Sequence, residues 1–456
     1  MKSMTLMEIA AAVDGKYYGD NKKLSQSVTG VTIDSRKIET GYLFVPIKGE
    51  RVDGHEFIPA VMENGALCTL SEQVLENVEF PYILVTSCKQ ALKDLAEHYR
   101  KALDIKVVGI SGSVGKTSTK EMIASVLSQK YNVLKTAGNF NNEIGLPLTI
   151  FNIRDEHEVA VLEMGISDFG EMHRLTKMAR PDVCVITNIG LCHLENLGDR
   201  DGVLKAKTEM FDFMMPNAKI ILNGDDDKLI TVQETKGALP KFFGLSESHD
   251  AFADNIRSLS LKGISCNIYI EDESFDVVIP IPGRHMVYNA LAGALVGREL
   301  GLTTDEIKAG IEALVPVSGR NNLIETDSLM IIDDCYNANP VSTKASLDVL
   351  SLADNRKVAV LGDMFELGDN EKQLHYGVGA YAGEKSIDLI ICIGELSCQT
   401  ANGAKEKGSN VLHFDKKADF LASAQNILKK GDAVLVKASN GMKFSEIVES
   451  LKQLEL

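Results

Sequence analysis

The sequence lacks three features that would point to a specialised class of protein: paired cysteines, long apolar runs and an excess of basic residues. Its eight cysteines form no C-x-x-C pair and mostly lie in apolar segments. This pattern argues against zinc sites and disulfides, and it predicts reduced thiols in the core. No apolar run is long enough to cross a bilayer, so we expect no membrane span.

The charge balance is acidic, with 48 Lys and Arg against 64 Asp and Glu and a net charge of −16. Because binding to nucleic acid phosphates needs basic surface, this balance argues against nucleic acid as the main partner but allows a local basic pocket. The first apolar stretch carries Glu8, which does not fit a secretory signal. We therefore expect a cytoplasmic protein, with a monomer as the default.

The segment KVVGISGSVGKTSTK, residues 106–120, joins an apolar β-forming run to a run with helical spacing through a turn rich in glycine and serine. Glycines let the backbone amides of residues 112–115 surround phosphate oxygens, and the start of the helix adds partial positive charge. We predict that Lys116 contacts the β- and γ-phosphates of a nucleotide and that the Thr117 hydroxyl binds Mg²⁺. The consensus G-x-x-x-x-G-K-[ST] has glycine where this chain has Ile110, so the cradle is a shorter G-x-x-G-K-T. An ordinary strand-to-helix turn is the alternative.

Two later apolar segments, VAVLEMG and VCVITNIG, are typical of buried strands and lead into polar residues. Ligands of a parallel sheet bind beyond the carboxyl ends of its strands, so Glu163, Asn188 and His193 are predicted at the same edge as the phosphate loop. A single histidine there is either a structural residue or a metal ligand, and the pattern leaves both open. The lysines of the next helix, Lys205 and Lys207, are by default a solvated face.

The order of the predicted elements indicates an α/β protein of three domains. Residues 1–84 form a small α/β domain, and residues 85–315 form a central P-loop domain with a mostly parallel sheet flanked by helices. Residues 316–456 form a Rossmann-like, doubly wound domain without a phosphate fingerprint of its own. The segments SCNIYI and FDVVIPI predict a small antiparallel addition to the central sheet.

The first domain contains two compact polar clusters, DSR at residues 34–36 and DGH at residues 53–55. Each cluster is either a solvated turn or part of a site for an anionic, sugar-like ligand, to which Ser35 and Arg36 would donate hydrogen bonds. The segment GNFNNEIGLPLT in the central domain is likewise either turn-forming or ligand-binding.

Together these motifs resemble the Mur ligase family, ATP-dependent amide-forming enzymes of peptidoglycan precursor synthesis. The motifs that match the whole family are G-x-x-G-K-T, EMG, TNI followed by HLE, G-x-H-x-x-x-N at residues 283–289, and Gly319-Arg320 in the linker between the second and third domains. Others, namely DSR with GYLFVPIKGE, DGHEF, GNFNNEIGLP, DDCYNANP and LGDMFELG with His375, resemble the member that adds D-alanyl-D-alanine to UDP-N-acetylmuramoyl-tripeptide. The resemblance covers all three domains, and it implies small-molecule substrates with ATP and Mg²⁺ as cofactors.

The resemblance further implies that ATP phosphorylates the free carboxylate of the tripeptide and that the dipeptide amine attacks the acyl phosphate. Both steps concentrate negative charge, so cations matter more than a protein nucleophile. By resemblance, the catalytic residues are Lys116, Glu163, His193 and Lys207, with Lys207 carbamylated. The Mg²⁺ ligands would be Thr117, Glu163, His193 and Lys207.

The resemblance also implies which residues bind the substrates. The ATP-binding residues would be Gly112, Ser113, Val114, Gly115, Lys116, Thr117, Ser118, Asn289, Arg320, Asp334, Tyr336 and Asn337. The residues that bind the UDP-sugar and muramoyl parts would be Ser35, Arg36, Asp53, Gly54, His55, Asn139 and Asn142. Because the ATP-binding residues lie in two domains, the third domain would rotate onto the second during catalysis. By resemblance, the third domain would also bind the incoming dipeptide.

Three other functions remain compatible with these motifs. Two of them also form an amide bond at the expense of ATP: a Mur-family ligase that adds diaminopimelate or lysine, and a folylpolyglutamate synthase. The third is a P-loop NTPase switch, which would hydrolyse nucleotide to change partners without an amine acceptor. Against a switch, the polar residues at the strand ends are spread over three domains, which suits several small ligands better.

Overall fold

The computed structural model describes residues 1–456 and confirms the predicted α/β class. Its strands form three large sheets of five, nine and six strands and one two-stranded ribbon. Each large sheet takes its strands from one predicted domain, and the predicted boundaries at residues 85 and 316 fall in connections between the sheets. No helix combines the length and apolar character that a bilayer span requires. All eight cysteines are free, and six of them are buried.

The first domain consists of short strands and two helices. The strands are β1 (Met4–Thr5), β2 (Lys16–Tyr18), β3 (Ser27–Val28), β4 (Gly30–Thr32), β5 (Tyr42–Phe44), β6 (Cys68–Ser71) and β7 (Tyr82–Leu84). The helices are α1 (Leu6–Ala12) and α2 (Ile58–Glu63). The sheet order is β2-β7-β6-β5-β4, parallel except at β2, while β1 and β3 form the ribbon.

Nine strands form the central sheet. They are β8 (Lys106–Ser111), β9 (Val133–Lys135), β10 (Val159–Glu163), β11 (Val183–Ile186), β12 (Lys219–Asn223), β13 (Pro240–Gly244), β14 (Ala251–Ser258), β15 (Ile264–Ile270) and β16 (Glu273–Ile279). The order is β16-β15-β14-β13-β12-β11-β8-β10-β9. All pairs from β9 to β14 are parallel, and β15 and β16 continue the sheet in antiparallel pairs, which confirms the predicted antiparallel addition.

Eight helices accompany the central sheet. They are α3 (Cys88–Lys101), α4 (Lys116–Leu127), α5 (Gly145–Phe151), α6 (Glu171–Ala179), α7 (Leu194–Leu197), α8 (Arg200–Thr208), α9 (His285–Glu299) and α10 (Thr304–Glu312). Successive strand residues point to opposite faces, so Val107 packs in the core with α3, α5 and α6, and Val108 in the core with α4, α9 and α10. The first of these cores continues into the first domain through Leu6 and Leu43, so the two domains share one apolar interior.

The third domain is a six-stranded sheet between two helical layers. Its strands are β17 (Asn322–Glu325), β18 (Met330–Asp333), β19 (Lys357–Gly362), β20 (Leu389–Ile393), β21 (Val411–Phe414) and β22 (Ala433–Lys437). Its helices are α11 (Pro340–Ser351), α12 (Glu371–Gly383), α13 (Ser397–Glu406), α14 (Lys417–Ile427) and α15 (Ser445–Lys452). The order is β17-β18-β22-β19-β20-β21, and all pairs are parallel except β17 with β18. Val358 and Ala359 of β19 pack in different cores, which confirms a doubly wound domain.

Candidate active site

A cavity of ≈ 590 Å³ lies beyond the carboxyl ends of the central parallel strands. Its walls come from the phosphate loop, from the ends of β10 and β11, from the start of α9 and from the third domain. Lys116, Glu163 and His193 all line it, so the structure brings these three predicted residues to one edge of the sheet. The third domain closes the cavity from the opposite side.

The phosphate loop connects β8 directly to α4. Two of the amides predicted to surround phosphate are occupied, because Ser113 N donates to Asn188 O at 3.1 Å and Val114 N donates to Asn188 Oδ1 at 2.9 Å, so the free donors begin at Gly115. Gly112 and Gly115 have φ of 150° and 83°, and a Cβ atom on Gly112 would lie 1.9 Å from Thr187 Oγ1, so the loop requires glycine there. The amides of residues 115–118 have no acceptor within the chain, and no side chain caps α4. Four free amides at a helix start are a site for an anion such as phosphate. The strand and helix on either side of the turn fit a phosphate loop better than a chance Gly-Lys-Thr sequence.

Lys116 lies over this loop. Its Nζ donates to Gly112 O at 2.8 Å, so the ammonium is held next to the free amides. Burial lowers the pKa of Lys116, while the nearby Glu163 carboxylate raises it. Asn188 shapes the same loop, because its side chain exchanges two hydrogen bonds of 2.9 Å with the backbone of Val114.

Thr117 and Glu163 meet at the base of the cavity, where Thr117 Oγ1 donates to Glu163 Oε2 at 2.9 Å. The other carboxylate oxygen of Glu163 accepts from Asn141 Nδ2 at 2.8 Å, so the buried carboxylate is held from both sides. Arg320 of the third domain donates to Thr117 Oγ1 at 3.3 Å. This hydrogen bond crosses the cavity between the two domains.

Lys120 is a site residue that sequence reasoning missed. Its side chain is buried on α4, one turn after Lys116, and its Nζ lies 3.0 Å from Glu121 Oε1 and 3.9 Å from Glu163 Oε2. It also donates to Thr136 O at 2.7 Å. In the sequence Lys120 follows the recognisable Gly-Lys-Thr signal and cannot be told from a solvated lysine.

No group of three or more His, Cys, Asp or Glu side chains forms a metal site in the structure. Two oxygen donors, Thr117 Oγ1 and Glu163 Oε2, are nevertheless buried side by side next to the anion site. Mg²⁺ prefers oxygen ligands and commonly takes only one or two of them from protein, completing its shell with phosphate oxygens and water. The residues present therefore fit a nucleotide-bound Mg²⁺ rather than a cage made only of protein ligands.

His193 lies on the cavity wall in a left-handed backbone conformation, with φ of 51°. Its Nδ1 is 3.8 Å from Glu366 Oε2 of the third domain. Burial and the charge of Lys207 lower the pKa of His193, whereas Glu366 raises it. A neutral imidazole is the form that can bind a cation.

The two lysines of α8 have different environments. Lys205 is exposed, and its Nζ lies 5.7 Å from the centre of the Phe169 ring. Lys207 is buried, and no carboxylate is among the groups that shift its pKa. Burial, together with the charge of Lys116, lowers the pKa of Lys207 to about 7. The expectation of a solvated face is therefore wrong for Lys207, because α8 turns this side chain into the interior.

The third domain contributes a second set of polar groups. The Arg320 guanidinium stacks on the Tyr336 ring at 4.0 Å, and both residues line the cavity. Asp334 is buried and pairs with Lys437 Nζ at 2.5 Å. Lys437 also donates to Asn337 O at 3.1 Å, so the loop after β18 is fixed by its own ion pair.

Other predicted residues are divided between the cavity and the rest of the molecule. Asn289 and Asn139 line the cavity, and Asn289 Oδ1 accepts from Thr119 Oγ1 at 2.9 Å. Asn142 does not line it: its Oδ1 instead accepts from the backbone N of Gly145 at 2.8 Å, at the start of α5. The neighbouring Asn141 contacts Glu163, a role that the run of asparagines alone does not assign.

The polar clusters of the first domain lie outside this cavity. Arg36 pairs with Asp34 through Nη2 and Oδ2 at 2.8 Å and is otherwise exposed. The His55 side chain is buried, with Nδ1 at 2.7 Å from Asp53 Oδ1 and Nε2 accepting from Glu72 N at 3.1 Å. The predicted ligand-binding residues of this domain, Ser35, Arg36, Asp53, Gly54 and His55, remain a prediction.

Comparisons with known proteins give the family. The model of the Mur ligase middle domain matches residues 110–297, that of the Mur ligase glutamate ligase domain matches 319–440, and that of the Mur ligase family catalytic domain matches 27–100. The chain is 39% identical to the UDP-N-acetylmuramoyl-tripeptide--D-alanyl-D-alanine ligase of Bacillus subtilis over 99% of both chains.

Solved structures agree with this comparison. A crystal structure of MurF from Acinetobacter baumannii has a TM-score of 0.92 at 31% identity and covers 100% of both chains. MurF ligase from Thermotoga maritima in complex with ADP has a TM-score of 0.81 at 31% identity, over 93% of this chain and 97% of that one. These matches extend over all three domains, so the chain belongs to the Mur ligase family.

Proposed function

We propose that this protein is an ATP-dependent ligase that joins D-alanyl-D-alanine to UDP-N-acetylmuramoyl-tripeptide, giving the pentapeptide precursor of peptidoglycan, ADP and phosphate. The observation that carries the proposal is the single cavity in which free phosphate-loop amides and Lys116 face Arg320 and Tyr336 of the third domain. The relatives that share the whole chain carry the name of this activity.

The first chemical step transfers the γ-phosphoryl group of ATP to the tripeptide carboxylate and releases ADP. The free amides of residues 115–118 and the Lys116 ammonium would stabilise the charge on the transferring phosphoryl oxygens. Bound Mg²⁺ would neutralise phosphate charge, held by Thr117 and Glu163, with His193 next to a second ion. Arg320 adds positive charge from the third domain, so catalysis requires that domain to be closed.

In the second step the dipeptide nitrogen bonds to the acyl carbon and the bond from that carbon to the phosphate oxygen breaks. Phosphate leaves with the electron pair and takes up one proton. Water would hydrolyse the acyl phosphate in a competing reaction, so closure of the third domain over the cavity would also protect the intermediate. No protein nucleophile is needed for either step.

Lys207 is carbamylated in the working enzyme under this proposal. What supports it is a buried amine without a carboxylate partner, whose pKa is lowered to about 7 so that the neutral form is populated at physiological pH. The neutral nitrogen would bond to the carbon of CO₂ and lose a proton, giving an anionic carbamate. An ammonium repels a cation, whereas a carbamate offers two oxygen ligands.

We further propose that the enzyme works as a monomer in the cytoplasm. Its first domain would bind the UDP-sugar through Ser35, Arg36 and the turn at residues 53–55. The exposed Arg36 and the two polar turns support the first domain as a binding site. Sedimentation of the purified chain tests the monomer. Changing Arg36 to Ala should raise the KM for the UDP-tripeptide and leave that for ATP unchanged.

A coupled assay of phosphate release tests the function. We expect turnover only when ATP, UDP-muramoyl-tripeptide and D-alanyl-D-alanine are all present, and tripeptides ending in lysine or diaminopimelate should be compared. Stimulation by lysine, diaminopimelate or glutamate in place of the dipeptide would favour another family member. Phosphate release that is independent of any amine would favour a nucleotide switch.

A further inference from the structure

We infer that Glu366 of the third domain binds the ammonium group of the incoming dipeptide and orients its nitrogen toward the acyl phosphate. This inference rests on the proposed function, because it names the protein group that receives the amine substrate of that reaction. The amine arrives as a primary ammonium at neutral pH, so its recognition calls for a carboxylate that is not already neutralised by the protein.

Only three carboxylates line the cavity, those of Glu163, Asp334 and Glu366. Both oxygens of Glu163 accept hydrogen bonds, from Thr117 and from Asn141. Asp334 is equally committed, since it pairs with a buried lysine and accepts hydrogen bonds from a backbone amide and a serine. Glu366 is the remaining carboxylate.

Glu366 makes no hydrogen bond within the chain, and its side chain is 76% exposed. The only basic side chain within 4 Å of its carboxylate is His193, whose Nδ1 lies 3.8 Å away, which is too long for a hydrogen bond. The carboxylate therefore projects into a cavity otherwise dominated by cationic and neutral groups, with its acceptor positions free. A ligand ammonium is the chemistry that such a group accepts.

The backbone that leads into Glu366 is fixed at the two preceding residues. Met364 N donates to the buried His375 Nε2 at 2.9 Å, and Phe365 N donates to Ser439 Oγ at 2.8 Å. Glu366 itself has φ of 61°, a left-handed conformation that is uncommon for a residue other than glycine. Such strained residues concentrate at functional sites, where the surrounding structure holds them in place.

The position of Glu366 also suits the reaction. It faces His193, another residue in the left-handed conformation, and the charge of Lys116 acts on that histidine. An amine held by Glu366 would thus lie on the side of the cavity where the phosphoryl group is transferred. As the amide bond forms, the ammonium loses two protons, one to the departing phosphate and one to water.

The test is the steady-state kinetics of Glu366→Gln, which keeps the shape of the side chain and removes its charge. We expect the KM for D-alanyl-D-alanine to rise roughly tenfold, with KM values for ATP and the UDP-tripeptide within about twofold of wild type. The matched control is Asp369→Asn, an exposed carboxylate of the same loop outside the cavity, which should leave all three KM values unchanged.

Hydroxylamine provides a second readout, because it is a largely uncharged nucleophile at neutral pH and needs no carboxylate partner. We expect Glu366→Gln to form hydroxamate from the UDP-tripeptide at the wild-type rate while amide formation with the dipeptide falls. An unchanged dipeptide KM in both Glu366→Gln and Glu366→Ala would overturn the inference, as would an equal loss of hydroxamate formation. A wild-type enzyme that does not use D-alanyl-D-alanine at all would instead overturn the proposed function.

Discussion

The central and third domains both contain parallel α/β sheets, yet the helix starts that follow their strands differ in whether their backbone amides are hydrogen-bonded. After β8 the chain enters α4 through Gly115 without a side-chain cap, and the first amides of the helix are free. After β18 the chain enters α11 through Asn339, whose side chain forms a reciprocal cap with Ser342. The first helix start is open to an anion, and the second is closed by its own residues.

The same contrast holds for one buried lysine in each domain. Lys437 of the third domain pairs with Asp334, so its charge is compensated within the protein. Lys207 of the central domain has no such partner, and burial lowers its pKa. The central domain thus leaves the start of α4 and Lys207 unsatisfied, whereas in the third domain the satisfied Asp334 fixes the segment around Arg320 and Tyr336, and Glu366 is the group left free.

The largest expected effect comes from removing the cation at the open helix start. Lys116→Ala should reduce turnover by about 100- to 1000-fold, because the phosphoryl oxygens lose a positioned ammonium. Phosphate release measures this, and circular dichroism should show an unchanged fold. The control is Lys130→Ala, an exposed lysine just beyond the other end of α4, which should retain activity. Near-normal turnover in Lys116→Ala would mean that the free amides alone define the site.

Next in size is the buried ion pair of the third domain. Lys437→Met should cost about 3–5 kcal/mol of unfolding free energy, because Asp334 would remain buried without its partner. Urea denaturation measures this change. Adding Asp334→Asn should recover part of the loss, since the uncompensated charge is then gone. A loss below about 1 kcal/mol for the single variant would show that water reaches Asp334.

The unpaired lysine should instead give a pH dependence. The folded-state pKa of Lys207 is lowered to about 7 from its ordinary value of 10.5, so the unfolded chain binds more protons between these values. The unfolding free energy should therefore rise with pH across that range, by at most about 1.4 kcal/mol per pH unit. Below pH 7 the full destabilisation from burying a charged Lys207 should be present. Lys207→Met should flatten this rise when both proteins are measured without bicarbonate.

Carbamylation can be tested on the same residue. Lys207→Ala should lose turnover and regain part of it with added short carboxylates such as acetate, because these would replace the carbamate oxygens. Mass spectrometry of the wild type in bicarbonate should detect the added CO₂. Full activity of Lys207→Ala without any carboxylate would exclude the carbamate.

The smallest expected effect concerns the closed helix start. Asn339→Ala should destabilise the third domain by about 1 kcal/mol, because the Ser342 amide at the start of α11 loses its side-chain acceptor. Asn142→Ala is the comparison in the central domain and should cost a similar amount, because Asn142 Oδ1 accepts from the amides of Ile144 and Gly145 in the turn that leads into α5. If Asn142→Ala instead raised the KM for the UDP-tripeptide at constant stability, Asn142 would be a ligand-binding residue rather than a structural one.

Much of the fold could be predicted because the central parallel strands of the two larger sheets, such as β8, β10 and β11, are short apolar runs that end in polar residues. The alternating pattern of β15 and β16 likewise predicts their antiparallel pairing. The strand β17 was missed, since NLIE is short and lies on the edge of its sheet. The core that the first two domains share was also missed, because periodicity identifies an apolar face but not the domain that covers it.

The sequence by itself determined the α/β class, the phosphate loop and the strand ends at which functional groups collect, since these follow from local spacing and from the rule that parallel strands end at one edge. Only the tertiary structure decided which of Lys205 and Lys207 is buried, that Asn141 rather than Asn142 contacts Glu163, and that Glu366 keeps a free carboxylate. These outcomes depend on the rotation of helices about their axes and on contacts between residues far apart in the chain. Whether a side chain is buried or paired depends on these contacts, so it cannot be predicted from the neighbouring residues in the sequence.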